Sequence, residues 1–186
     1  LRAFVFMGLI MLTGFSVIPY IALYLTSNVG IDNSYISLIY LCGGLATLMS
    51  SKLIGHMADR YGKVKIFRLL AIASLIPLLV TTNLIPVPLW LVLINSAAFF
   101  ILISGRMIPA MAIVSQVVDA KSRGTFMSLV GSIQMLASGL ASVIAGMIVT
   151  IGTDGKMEHY NLVGYGAAAC SLLTFWLVRY IHTDKQ

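Results

Sequence analysis

Residues 55 to 65 read Gly55-His56-Met57-Ala58-Asp59-Arg60-Tyr61-Gly62-Lys63-Val64-Lys65, a charged segment with two spaced glycines between two long apolar stretches. The stretch ahead of it, about 34–56, and the stretch behind it, about 65–83, each approach the roughly 20 apolar residues that a helix needs to cross a hydrocarbon core of about 30 Å. Outward from there, charge, Pro and Gly delimit four more such stretches, at about 3–26, 88–118, 124–151 and 160–181. None alternates polar and apolar residues as a barrel strand does. Backbone groups in lipid must be satisfied within the segment, so all six are expected to be helices. The first stretch is too long for a signal peptide's apolar region and runs into Asn28, Gly30 and Asp32 with no small-residue cleavage site. The expected fold class is an all-α membrane protein, a single six-helix transmembrane bundle over residues 1–186.

Composition leaves the same class standing. Of 186 residues, 59% are apolar and 10% charged, where a soluble domain carries roughly 25% charged. So apolar a chain is not disordered, and two cysteines, Cys42 and Cys170, both in apolar stretches, do not make a disulfide scaffold. The chain begins at Leu1 rather than Met, so it is expected to be processed or cut from something longer.

Lys and Arg are retained in cytoplasmic loops, which orients the bundle. Arg2, Lys52, Arg60, Lys63, Lys65, Arg68, Lys121, Arg123, Arg179 and Lys185 fall on one side, and Lys156 alone falls on the other, with Arg106 set aside as intramembrane. Both termini are therefore expected in the cytoplasm, with the bundle in a bacterial inner membrane.

The segment from Gly55 to Lys65 resembles the signature of the major facilitator superfamily: a Gly, three residues, an Asp, a basic residue, one residue, a Gly and then basic residues. Each position has a physical use. Gly55 would let a neighbouring helix approach, and Asp59 would face a helix N-terminus, whose partial positive charge favours a carboxylate. Gly62 permits the positive φ of a tight turn, and Arg60, Lys63 and Lys65 hold the loop against anionic headgroups. Val64 departs from the pattern, where the family usually has a second consecutive basic residue. The resemblance implies six helices arranged as two inverted three-helix repeats, one half of such a transporter. It implies a carrier that moves a small molecule by alternating access, with no covalent chemistry and no cofactor. The implied partners are the lipid bilayer, the small-molecule substrate and the other half of the same carrier, with no nucleic acid.

A second resemblance lies at Asp119-Ala120-Lys121-Ser122-Arg123-Gly124, since an acidic residue followed shortly by Arg-Gly recurs in the equivalent loop of many facilitator halves. Asp119 could pair with Arg60 or Lys63, and Asp59 with Arg123 or the start of span five, as a latch at one mouth. Drug/proton antiporters of the family carry a Gly-Pro motif in the fifth helix of the N-terminal half. Here Leu129 to Leu140 holds no proline. Either this is a C-terminal half or the carrier is not such an antiporter. The missing initiator Met and the short charged tail ending at Gln186 favour the C-terminal half, helices seven to twelve of twelve, as the expectation.

Chemistry within the membrane is sparse. No acidic residue is expected inside a span, and His56, His159 and His182 fall at span ends or in loops, so neither a metal cluster nor an intramembrane hydrolase is expected. Arg106 is the exception, deep in span four, and an intramembrane Arg is a functional candidate by default. It is expected to face spans one, two and five, near Gln134 or a span-one tyrosine. Tyr20 and Tyr24, one turn apart on a shared face, Asn95 and Gln134 complete the candidate substrate contacts. Pro19, Pro77 and Pro109 predict kinks, and the repeats Ser138, Ser142, Gly146 and Gly164, Ala168 predict close helix packing. A competing reading is a six-helix membrane scaffold, or a half-size unit that homodimerises.

Overall fold

The computed structural model describes residues 1–181, so His182, Asp184 and Lys185 lie outside the described residues. Six apolar helices are long enough to cross a membrane: span one Arg2–Val29, span two Asn33–Tyr61, span three Lys63–Thr82, span four Leu89–Val114, span five Arg123–Ile148 and span six Tyr160–Tyr180. Span two runs further than its apolar composition predicts, because nothing breaks the helix before Gly62. His56 to Tyr61 are helical, and Gly62, at φ +95°, alone separates spans two and three. Span five is shorter than predicted. After Ile148 the chain turns extended, and Thr150–Ile151 pairs antiparallel with Met157–Glu158. The side-chain amide of Asn28 clasps this hairpin, donating to the Met157 carbonyl and accepting its N–H, both at 2.8 Å.

Packing follows a repeated plan. Span two lies along span four as span five lies along span one, and span one meets span six as span four meets span three. Exchanging the first three spans with the last three leaves this pattern unchanged. Since successive spans alternate in direction, the two three-helix units are inverted relative to each other.

All three predicted kinks occur at one offset. Regular helix is interrupted at Ser16–Val17, at Ser74 and at Arg106, beginning three residues before Pro19, Pro77 and Pro109. A proline has no N–H for the carbonyl four residues back, so the ladder opens there. Core side chains form one cluster around Ile21, Tyr24, Phe99 and Tyr160 and another around Phe6, Phe67, Ile113 and Val178.

The second cluster includes Ala3, and Val64, Val117 and Phe126 pack against it. It therefore gathers the start of span one, the end of span six, the span two–three link and the span four–five loop at one end of the bundle. This is the basic end. The hairpin carrying Lys156 sits at the other, where Met157 packs with Tyr24 and Val29.

Candidate functional site

Arg106 occupies the break in span four, between the two core clusters, and is wholly buried. Its Nη1 donates to Ser171 Oγ at 3.0 Å and its Nη2 to the Ile10 carbonyl at 3.3 Å. Ser171 Oγ passes the bond on to the Ala71 carbonyl at 3.2 Å. One guanidinium thus ties span four to spans six, three and one. Its Nε is buried without a hydrogen-bond partner. This corrects the expected orientation: Arg106 meets span one only at the Ile10 carbonyl and otherwise points to Ser171 of span six, not to Gln134 or a span-one tyrosine. The reason is steric and electrical. The planar fork needs two acceptors at once, and the helix break at Arg106, with Ser171 and the Ile10 carbonyl opposite, provides them.

Pro19 organises the polar groups of span one. Its missing N–H leaves the Phe15 carbonyl without a helical partner, and the Ser142 hydroxyl of span five reaches that carbonyl at 3.2 Å, sharing its proton with the Ser138 carbonyl at 3.2 Å. Tyr20 returns the contact, its hydroxyl donating to the Ser142 carbonyl at 2.9 Å. On the other side of the break, Tyr160 donates to the Val17 carbonyl at 2.9 Å and Tyr40 to Ile18 at 3.4 Å. Broken helices in lipid are tolerated where such groups re-satisfy the backbone.

Tyr20 and Tyr24 do not share a face. Tyr20 faces span five, whereas Tyr24 donates to the Leu84 carbonyl at 3.0 Å and packs on Tyr160 with ring centroids 4.8 Å apart. Tyr20 closes the 3-10 turn Ile18–Tyr20 at φ −100° and ψ −6° before the α-helix resumes over Ile21–Tyr24, so the regular four-residue advance is broken at Tyr20 itself. Asn95 bonds Thr81 of span three at 2.8 Å. Gln134, half-buried, lies 3.9 Å from the Met111 sulfur of span four.

At the basic end Asp59, Arg60, Asp119 and Arg123 are all exposed. The Arg60 guanidinium sits 5.4 Å from the centre of the Tyr61 ring, and the Asp119 carbonyl caps Ser122. Neither the expected pairing of Asp59 with span five nor that of Asp119 with Arg60 or Lys63 is found among the described residues. Span five opens on Ser122 with no side-chain cap, and the charged side chains of both segments stand at the surface while Ala58, Val64 and Val117 pack inward.

Close helix approach also lies elsewhere than the signature suggests. A Cβ built on Gly55 would meet Ile108 at an ordinary 4.0 Å, whereas one on Gly43 would strike the Phe100 ring and one on Gly105 the Ile54 side chain. These two glycines let spans two and four touch. Their sequence signal, the Gly43-Gly44 pair and Gly105 beside Arg106 inside apolar stretches, was available but does not name the partner helix.

Among the described residues no group of three His, Cys, Asp or Glu side chains is placed to hold a metal ion. Comparison with family models matches residues 3–186 to the family described as Major Facilitator Superfamily. A search of curated proteins finds no match.

Proposed function

The chain belongs to the Major Facilitator Superfamily, a family of membrane transporters, and from that premise we propose that it is the C-terminal six-helix half of a secondary carrier working by alternating access. The observation that carries this reading is an imbalance of burial. Spans two and five, which the repeat exchange makes equivalent, bury the smallest share of their residues. Their large apolar side chains stand open, with Met49 at 82% exposure and Met135 at 79%. A second six-helix half would cover both at once. Asp59, without a partner among the described residues, would then find one across that interface.

In this reading the carrier is an integral protein of a bacterial inner membrane with both ends of this half in the cytoplasm, and its substrate is a small molecule. Gln134 and Tyr20, on the spans that border the open face, are the proposed contacts to substrate. Arg106 is a positioning residue that holds spans one, three, four and six together. A pair of identical six-helix units is the second reading, favoured by the same exposed faces.

Cysteines placed at Leu48 and Leu136, in a Cys42→Ala, Cys170→Ala background, discriminate between them. Cross-linking to another six-helix segment of the same polypeptide, with solute uptake into proteoliposomes, supports the carrier. Cross-linking of two copies of this chain, with uptake by the chain alone, supports the homodimer. A protein that cross-links in neither way and takes up nothing from a panel of metabolites and drugs, with and without a pH gradient, contradicts both.

A further inference from the structure

A cavity of about 920 Å³ opens at the basic end between spans two, three, four and six. Its mouth carries Lys63, Lys65 and Arg68, and no acidic side chain lines it. Beneath them the wall is apolar, with Leu69, Ile72 and Phe175 among its residues. The Arg68 guanidinium lies 4.1 Å from the centre of the Phe175 ring, and its buried Nε has no hydrogen-bond partner. The first turn of span three adds to the positive field: Gly62 provides no side-chain cap, and the leading residues Lys63 to Lys65 of the 11-residue helix Lys63–Ala73 line the same cavity. The apolar wall does not end in the cavity. Leu69, Ile72, Ile76 and Val80 continue it down span three as an exposed strip, 57%, 48%, 71% and 40% accessible.

We infer that this cavity binds an anionic phospholipid from the leaflet at the basic end, with its phosphate among Lys63, Lys65 and Arg68 and an acyl chain along Leu69, Ile72 and Ile76. The combination selects the ligand. Three cations, an unpartnered Nε and a free helix N-terminus ask for an anion. An apolar strip leading from that point toward the membrane interior asks for a chain attached to it. A soluble phosphate would use the mouth and leave the strip bare, and an acidic protein segment would have no use for a strip facing hydrocarbon. The inference needs only that the six helices span a membrane, so it stands apart from which solute is carried.

Native mass spectrometry of the purified full-length protein, exchanged from phosphatidylcholine into mixtures with phosphatidylglycerol, tests it. The expected result is one phosphatidylglycerol retained in preference to phosphatidylcholine, with retention falling roughly fivefold for each cation removed in Lys63→Gln, Lys65→Gln and Arg68→Gln. Removing two charges from the same side outside the cavity in Lys52→Gln plus Arg179→Gln should leave it unchanged. Ile72→Trp, which obstructs the strip without touching charge, should also release the lipid. Lys63 and Lys65 are accessible enough to be changed without disturbing the core, so the test does not depend on Arg68→Gln folding. Equal loss in the Lys52 and Arg179 control would reduce the site to diffuse attraction and overturn the inference. So would competition by inorganic phosphate, which marks a soluble-anion site, or retention by Ile72→Trp equal to that of the unaltered chain.

Discussion

Arg106, the one fully buried charged side chain among the described residues, has its fork held by Ser171 and the Ile10 carbonyl, with Ser171 in turn bonded to span three. Hydrogen bonds to charged groups contribute about 1.5–3 kcal/mol, and leaving a buried member unpaired costs a comparable amount. Arg106→Lys keeps the charge but cannot serve both acceptors in the same plane, so it should lower the melting temperature in detergent. Ser171→Ala should lower it as well. Because the two act through one network, the double variant should lose clearly less than the sum of the singles, and additive losses would dissolve the network. The glycines make a second test at this scale. Gly43→Ala drives a methyl into a rigid ring and should cost about 1–3 kcal/mol, Gly105→Ala meets only the movable end of Ile54, and Gly55→Ala should leave stability nearly unchanged. If Gly55→Ala nonetheless slows transport, its role is outside the packing of this half.

Span one is held in its broken shape from outside. Pro19→Ala restores an N–H that can bond the Phe15 carbonyl, while Ser142→Ala removes the hydroxyl that now serves it. Ser142→Ala alone should destabilise by leaving that carbonyl short of a donor, and adding Pro19→Ala should recover part of the loss in a thermal melt. A greater loss in the double variant would mean that Tyr160 and Tyr40, bonded to the carbonyls after the break, need the bend more than Phe15 needs a donor. Span two shows a lesser device at its start. Asp32 caps it by accepting the Ser34 N–H at 2.8 Å, and the Ser34 hydroxyl, followed by that N–H, holds its carboxyl below the usual carboxylate range. Its contribution is therefore complete above the ordinary range and is lost as pH falls through the lowered value. Asp32→Asn, which still caps, should flatten the acid limb of a pH-dependent melt without shifting the neutral plateau appreciably.

For the bundle as a whole, exposed aromatics sit toward both ends: Trp90 at 59% begins span four at the less basic end, and Trp176 at 60% approaches the end of span six at the basic one. Amphipathic rings settle at the headgroup level. Single-tryptophan variants, made with Trp90→Phe and Trp176→Phe, should both be quenched by lipids brominated near the headgroup and weakly by those brominated near the chain end. Deep quenching of either would displace the bundle relative to the membrane and undo the six-span topology with it.

Apolar length, the positions of Lys and Arg, and three prolines were enough to determine six helices, their alternation and the sites of their breaks. Each of these depends on the local chain and its solvent: twenty apolar residues match a hydrocarbon core, and a missing N–H opens the ladder wherever it falls. The segment from Gly55 to Lys65 pointed to the family for the same reason, since its spacing is a local property. What Arg106 touches could not be read this way. The helix has many residues facing inward, and only the placement of Ser171 and the Ile10 carbonyl across the bundle decides which acceptors the fork meets. The divergence of Tyr20 from Tyr24 and the collision partners of Gly43 and Gly105 belong to the same class. They depend on the rotation and depth of one helix against another, which in lipid are decided by close packing and a few hydrogen bonds distributed over the whole bundle.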